Sequence, residues 1–232
     1  AAVLTLSGVS AKGPRGEPAL NGISLSIRPG EVLGVAGVEG NGQKELAQVI
    51  CGLLPLHEGR LDRHGAVGYV PEDRHQAGLM LGAPAWENML LGHQWNADYS
   101  RPWRLKRQAI ADYGRRIIAD YDLRPPELEQ SAAAFSGGNQ QKIVVGREIA
   151  KDPKILVVAH PTRGVDLGAC ALIHDRILKT KATGAGVLLI SADLDEILAL
   201  SDRIVVLFSG KIMGEVARSA ATIEQLGLLM AG

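Results

Sequence analysis

The ten residues 37–46, GVEGNGQKEL, constrain the fold more than any other part of this sequence. A strand-like apolar run at 31–36 leads into them, and a helix-like run at 45–52 follows. Three glycines let backbone N–H groups point into one concavity at a helix N-terminus, where the helix dipole favours phosphate oxygens. The stretch therefore predicts a phosphate cradle, although a purely structural strand-to-helix bend uses the same glycines.

The end of this stretch departs from the phosphate-binding pattern G-x-x-x-x-G-K-[ST]. Gln43 stands where the pattern has its lysine, and Lys44 stands where it has the magnesium-binding hydroxyl. We expect the backbone cradle to be kept while its two working side chains are changed. The residues predicted to form the cradle are Gly37, Val38, Glu39, Gly40, Asn41, Gly42, Gln43, Lys44 and Glu45.

The charge balance and the cysteines indicate which partners and compartment to expect. Lysine plus arginine and aspartate plus glutamate number 25 each, so no net field favours nucleic acid and we expect no such partner. No apolar run approaches the roughly 20 residues that span a bilayer, and the start does not resemble a signal peptide. Cys51 and Cys170 lack metal-ligand spacing, which is typical of small buried residues in a reducing compartment. We therefore predict a cytoplasmic protein, and the Ala-Ala start without Met favours a piece of a longer polypeptide.

The rest of the chain predicts an α/β fold. Residues 3–9 and 23–27 read as an antiparallel β layer ahead of the cradle. From 84 to about 121 apolar residues recur at helical spacing, which predicts a helical subdomain. The later apolar runs predict strands buried on both faces of a parallel sheet, with helices between them, at 155–158, 186–190 and 203–208.

The cradle and four later motifs resemble, in their order along the chain, the motifs of the ATP-binding cassette ATPases. FSGGNQQK at 135–142 resembles the signature loop, GYVPEDR at 68–74 the Q-loop, PTRGVD at 161–166 the D-loop and LSDRIVVL the final strand. Together with the cradle they cover essentially the whole chain. The pattern looks most like the second, C-terminal cassette of a tandem nucleoside or simple-sugar importer subunit. The resemblance implies a single P-loop cassette over 1–232, with a parallel-sheet core and antiparallel β subdomain at 1–70 and 151–232, and a helical subdomain at about 72–150.

The resemblance also implies that the site of this chain has lost its catalytic groups. The aspartate that holds magnesium and the glutamate that polarises water correspond to Ala159 and His160, and the switch histidine corresponds to Ala192. Alanine cannot bind a metal, and neutral imidazole is a poor substitute for a carboxylate in phosphoryl transfer. We therefore predict no catalytic residues, no metal ligands and no role for Mg²⁺ here. An active ATPase that uses His160 as a base is the alternative.

The Q-loop glutamine corresponds to Glu72, so all three protein groups around the magnesium position are changed. We expect the ammonium of Lys44 to take the electrostatic role of the missing ion, with Glu72 as its partner in the empty site. A lysine that simply extends into solvent is the alternative. The family stacks adenine on an aromatic residue of the early β layer, and residues 1–68 contain none, so we expect ATP to bind weakly or not at all.

The signature loop is intact, and in the resembled family it contacts the γ-phosphate held by the facing cassette. Its residues here are Ser136, Gly137, Gly138, Asn139 and Gln140. Asp166 of the D-loop is expected at the same dimer interface. As a bare sequence, Ser-Gly-Gly is also an ordinary helix cap.

These resemblances predict the partners and the place of action. We expect a facing cassette, in the same polypeptide, and transmembrane permease subunits at the inner face of the cell membrane. Aromatic residues between 86 and 103 are candidates for the permease contact. The remaining alternative is a dimerisation scaffold that binds no nucleotide, in which side chains would plug the cradle.

Overall fold

The computed structural model describes residues 1–231, which divide into two compact units. The first unit contains Ala1–Glu72, Pro153–His160 and the described residues from Arg176 onward; the second contains Asp73–Asp152 and Pro161–Asp175. The strands are β1 (Leu4–Lys12), β2 (Pro18–Ile27), β3 (Val32–Ala36), β4 (Glu58–Arg63), β5 (Val67–Val70), β6 (Ser100–Arg101), β7 (Arg104–Leu105), β8 (Ile155–Ala159), β9 (Gly186–Ser191), β10 (Arg203–Phe208) and β11 (Lys211–Ala217). The α-helices are α1 (Gln43–Cys51), α2 (Ala85–Leu90), α3 (Arg107–Tyr121), α4 (Gly137–Ile149), α5 (Leu167–Ala182), α6 (Leu194–Leu200) and α7 (Ile223–Ala231).

The first unit is built on two sheets. A six-stranded sheet has the order β11-β10-β3-β9-β8-β5 and is parallel except for the β10–β11 pair. An antiparallel sheet has the order β2-β1-β4. β3, β8 and β9 are buried along their whole length, which explains their continuous apolar sequences.

The core of the first unit joins both sheets to α1. Leu46, Val49 and Ile50 of this helix pack with inward-facing residues of the antiparallel sheet, such as Leu6 and Ile23. Burial of each such side chain stabilises the fold by about 1.5–3 kcal/mol. The strand-to-helix connection before α1 is therefore held by hydrophobic packing on the helix that follows it.

The second unit is mainly helical, with a hairpin that the sequence pattern did not predict. The helical subdomain predicted from 84 to about 121 contains α2 and α3, and the two-stranded β6–β7 hairpin interrupts the helical spacing between them. Gly92 lies just after α2 with φ 84°, and Pro102-Trp103 forms the hairpin turn with Trp103 at φ 65°. Glycine and proline interrupt helices, so local backbone chemistry overrode the apolar spacing.

The predicted fold class is confirmed: a parallel-sheet core, an antiparallel β layer and a helical part are all present. The second unit also contains 161–175, beyond the predicted segment of about 72–150. β4 was missed, because only Leu61 gives its polar sequence EGRLDR an apolar signal. No helix among residues 1–231 is both long and apolar enough to cross a membrane.

Candidate functional site

The cradle lies between β3 and α1, and its backbone is fixed by local chemistry. Gly42 caps α1 with φ 104°, and a Cβ atom there would lie 2.7 Å from the carbonyl oxygen of Ala19, so only glycine fits. The side-chain oxygen of Asn41 accepts a 2.8 Å hydrogen bond from the backbone N–H of Ser209, and its carbonyl accepts one of 2.9 Å from Gly210. The loop is thus bonded to the turn between β10 and β11.

The Gln43 side chain lies inside this loop. It is 6% exposed; its Oε1 accepts a 3.0 Å hydrogen bond from the backbone N–H of Asn41, and its Nε2 donates one of 2.8 Å to the carbonyl of Val38. The backbone N–H of Asn41, which would face a bound phosphate, is therefore already hydrogen-bonded to Gln43. This is the arrangement that we associated with a plugged cradle.

Lys44 is exposed and makes no ion pair within the described residues 1–231. The predicted Lys44–Glu72 pair in the empty site was wrong. Lys44 is the second residue of α1 and points to solvent. Glu72 instead lies beside Glu39 and His160. Val38, Glu39 and Gly40 at the tip of the loop are exposed, and Glu45 is half-buried.

Glu39, Glu72 and His160 converge in the first unit. One ligand atom from each lies within 4.8 Å of the other two. Glu72 and His160 are half-buried, and Glu39 is exposed. Burial, together with the charges of Cys51 and Glu72, raises the pKa of nearby Tyr69 to about 12. These two carboxylates and the imidazole are the described residues that could hold a divalent cation at this site.

Two of the three positions expected to be catalytic carry only methyl groups, and the third is His160. Ala159 is the last residue of β8 and is buried, and Ala192 lies exposed just after β9. His160 follows β8 with φ 48°, and its backbone N–H donates a 2.8 Å hydrogen bond to the carbonyl of Ile190. Neither alanine has an atom that can bind a metal or move a proton.

The signature loop begins α4 in the second unit. Ser136 is the exposed N-cap of this helix, and its Oγ accepts a hydrogen bond from the backbone N–H of Asn139 at 3.4 Å and one from its side-chain Nδ2 at 3.1 Å. Gly137 is half-buried and Gly138 buried. The first N–H groups of a helix have no intrahelical partner, so this N-terminus can bind an anion.

Asp166 lies against this N-terminus within the second unit. A Cβ atom on Gly138 would lie 2.7 Å from its Oδ2, so a larger residue there would force the Asp166 carboxylate to move. Its other oxygen accepts a 2.9 Å hydrogen bond from the backbone N–H of Ala169. That bond lowers the pKa of Asp166 and keeps it ionised, helped by further backbone N–H groups and by Lys142. The predicted signature and D-loop residues are therefore adjacent.

Arg74 and Gln141 also hold this loop region, and the sequence did not identify them as functional. The Nη1 atom of Arg74 donates a 3.1 Å hydrogen bond to the carbonyl of Arg163, and its Nε donates one of 3.4 Å to Oε1 of Gln140. Gln141 is 2% exposed, and its Nε2 donates a 2.9 Å hydrogen bond to the carbonyl of Pro161. The sequence feature that could have pointed to them is their place inside the PEDR and GGNQQ motifs.

The four aromatic residues between 86 and 103 that were candidates for the permease contact differ in exposure. Trp86 is half-buried, and its Nε1 donates a 3.2 Å hydrogen bond to the Glu129 carboxylate. Tyr99 packs against Tyr113 and His93, with ring centroids 5.0 and 5.9 Å away. Trp95 and Trp103 are 87% and 104% exposed beside the basic β6–β7 hairpin. Of these four residues, Trp95 and Trp103 therefore offer the most surface for a contact.

Comparison with known proteins places this geometry in a family. Residues 20–163 match the ABC transporter family model, ABC_tran. The chain is 40% identical to the guanosine import ATP-binding protein NupO of Bacillus subtilis, over 100% of this chain and 48% of that protein. It is 39% identical to the nucleoside import ATP-binding protein NupA of Lactococcus lactis, over 99% and 48%. The chain thus spans about half the length of these relatives.

Solved structures show the same fold at lower identity. The MJ1267 ATP-binding cassette of an ABC transporter has a TM-score of 0.79 and 23% identity, with 100% of both chains covered. The dimeric bacterial cassette MJ0796 has a TM-score of 0.78 and 21% identity, covering 93% of this chain and 98% of that one. The family model and the curated relatives together show that the chain belongs to the ABC transporter family as an ATP-binding cassette.

Proposed function

We propose that this chain is one cassette of an importer ATPase subunit for nucleosides or simple sugars, and that its signature loop completes the hydrolytic site of a facing cassette. One contrast carries the proposal. Ser136 and its helix N-terminus are intact and exposed, while Ala159 and Ala192 stand where the family has its magnesium-binding aspartate and its switch histidine. A cassette with this pattern acts as a donor to its partner and hydrolyses no ATP itself.

Several comparisons support the assembly. The relatives NupO and NupA are named as guanosine and nucleoside import proteins, and this chain covers 48% of each, which fits one of two cassettes in one polypeptide. The MJ0796 cassette, whose fold this chain shares, is dimeric. We infer that this chain is the C-terminal, degenerate cassette of such a pair. We also infer that it works with transmembrane permease subunits at the inner face of the cell membrane.

The donor role uses groups of the second unit. The Ser136 hydroxyl and the first backbone N–H groups of α4 would bind the γ-phosphate held by the facing cassette, because a helix N-terminus favours an anion. Asp166 is fixed by the backbone of Ala169 against this loop and would lie at the dimer interface. Exposed Trp95 and Trp103 would contact the permease.

The test compares two substitutions in the intact transporter. Ser136→Ala should lower steady-state ATPase activity and solute uptake about ten-fold or more, as loss of a transition-state donor does, while Gln43→Ala should leave both within about two-fold. Thr222→Ala is the matched control, because Thr222 is another exposed hydroxyl that caps a helix. Equal or reversed effects of Ser136→Ala and Gln43→Ala would rule out the donor assignment.

A second candidate is a dimerisation scaffold that binds no nucleotide, and the buried Gln43 side chain favours it. A titration of the purified chain with fluorescent ATP and ADP analogues separates the two. Saturable binding of an analogue to the wild type would support a cassette that binds nucleotide weakly. No binding to the wild type at millimolar concentrations, together with binding to Gln43→Ala, would support the scaffold.

A further inference from the structure

The cluster of Glu39, Glu72 and His160 brings together three metal-ligand types from three separate loops. Glu39 follows β3, Glu72 follows β5 and His160 follows β8. All three strands run parallel in the six-stranded sheet, so their carboxyl ends reach the same edge. Their ligand atoms lie within 4.8 Å of one another. The sequence gives no such signal, because the three residues lie far apart along the chain.

His160 supplies the nitrogen ligand of this cluster. It is held at the end of β8 by the bond from its backbone N–H to Ile190, and it is half-buried. Within residues 1–231 its ring makes no hydrogen bond or ion pair, so an imidazole nitrogen is available to a ligand. Neutral imidazole is the commonest metal ligand among side chains.

The two carboxylates make a cation favourable at the same place. Glu39 and Glu72 bring like charges close together, and Glu72 is half-buried, where charges are screened less than in bulk water. A divalent ion at this place would be attracted by both charges and would bond directly to their oxygen atoms. The distances suit one ion, because two ligands bonded to Zn²⁺ at about 2.0–2.2 Å lie no more than about 4.4 Å apart. Small side-chain rotations are therefore sufficient to close the site.

We propose that Glu39, Glu72 and His160 form a binding site for one first-row transition-metal dication, for which Zn²⁺ is the probe. A nitrogen ligand with two carboxylates favours ions such as Zn²⁺ over Mg²⁺, which prefers an octahedron of oxygens and keeps its waters. Three protein ligands leave a coordination position for water or a phosphate oxygen. The proposal rests on the first unit alone and does not depend on the signature loop acting as a donor.

The test measures metal binding by the nucleotide-free 232-residue chain. Zn²⁺ is titrated by competition with a chromophoric chelator, and Co²⁺ is titrated separately by its visible absorption. We expect one equivalent of each to bind, and a 100-fold excess of Mg²⁺ not to displace it. His160→Gln, Glu39→Gln and Glu72→Gln should each weaken binding about ten-fold or more, since even loss of a group that only supports a ligand costs about 10–100-fold.

Controls separate this site from adventitious binding. His64→Gln and Glu58→Gln change exposed residues of the same unit outside the cluster, and both should leave the affinity unchanged. Circular dichroism and thermal melting check that each variant is folded; because Glu39 is exposed, Glu39→Gln should melt as the wild type does. No stoichiometric binding, or equal affinities in the cluster and control variants, would overturn the proposal. The ATPase comparison for Ser136 would stand in either case.

Discussion

Two adjacent residues of the cradle, Gln43 and Lys44, behave in opposite ways. Both replace residues expected in a phosphate-binding loop, yet Gln43 is buried in the loop and Lys44 is exposed. The sequence showed that both residues are changed, but it did not show that one side chain turns into the loop and the other into solvent. Side-chain direction depends on which backbone groups are within hydrogen-bonding reach, and Gln43 reaches both Asn41 and Val38.

We still expect the Lys44 ammonium to take the electrostatic role of a metal ion when nucleotide binds. Its ammonium has no ion pair within the described chain, so it can turn toward phosphate without breaking one. We expect Lys44→Ala to weaken ADP and ATP binding about ten-fold at low salt, since hydrogen bonds to charged groups contribute about 1.5–3 kcal/mol. Isothermal titration calorimetry should also give nearly equal affinities with and without Mg²⁺.

The control for this prediction is Lys12→Ala, an exposed lysine on β1 with no ion pair among residues 1–231. It should leave nucleotide affinity unchanged. An affinity that rises strongly with Mg²⁺, or an unchanged affinity in Lys44→Ala, would leave Lys44 as an ordinary surface residue.

At the scale of elements, the helices of the second unit pack around a buried histidine. His93 lies just after α2; its Nε2 is 3.1 Å from the Tyr113 hydroxyl of α3 and 3.4 Å from the Arg147 carbonyl of α4. Burial lowers the pKa of His93, and the neighbouring Lys151 and Arg147 charges act in the same direction. The folded unit therefore favours the neutral ring.

This arrangement predicts a loss of stability in mild acid. Above the ordinary histidine value near 6.5 the ring is neutral in both states. As the pH falls below that value, the unfolded chain takes up a proton that folded His93 resists, so the free energy of unfolding declines until the lower folded pKa is reached. Urea unfolding at pH 7.5, 6.5 and 5.5, followed by circular dichroism, should show this decline.

His93→Gln should cost about 0.5–1.5 kcal/mol at pH 7.5, because a buried hydrogen bond is weakened, and should reduce the decline between pH 7.5 and 5.5. The control His57→Gln changes an exposed histidine and should keep the wild-type profile. An unaltered profile in His93→Gln would assign the acid sensitivity to other groups.

The elements themselves show where sequence patterns succeed and fail. Strands β8, β9 and β10 were predicted closely, because burial on both faces leaves an unbroken apolar sequence. The β6–β7 hairpin was missed, because two-residue strands leave no periodic signal. Its exposed Trp103 depends on a positive φ that tryptophan seldom adopts, which no spacing rule anticipates.

For the whole molecule, the order of the motifs and the family that they resemble were enough to predict the fold. The cradle joins β3 to α1 and the D-loop segment joins β8 to α5, so both mark junctions of a parallel α/β sheet. The signature residues and Asp166 were predicted individually and lie side by side. The metal-ligand cluster could not be predicted in this way. It depends on three strands being parallel and close in one sheet, a long-range arrangement that a single sequence does not encode locally.

The 232-residue chain on its own should hydrolyse ATP at or near background. The resemblance implies that Ala159, His160 and Ala192 replace the metal-binding, water-polarising and switch groups, and the loss of one such group commonly costs about 10²-fold or more. A phosphate-release assay on the purified chain checks this, and His160→Ala should leave the rate unchanged. Magnesium-dependent turnover that His160→Ala abolishes would instead identify His160 as a catalytic base.

The hydrogen bonds of Gln43 make phosphate binding an exchange reaction. An incoming phosphate oxygen can reach the Asn41 N–H only after Gln43 Oε1 has left it, and the carbonyl of Val38 then loses the Gln43 amide as a donor. The apparent affinity is therefore the intrinsic affinity multiplied by the fraction of molecules in which the glutamine has already moved away. Any phosphate that binds this loop therefore competes with one neutral side chain of the cassette itself.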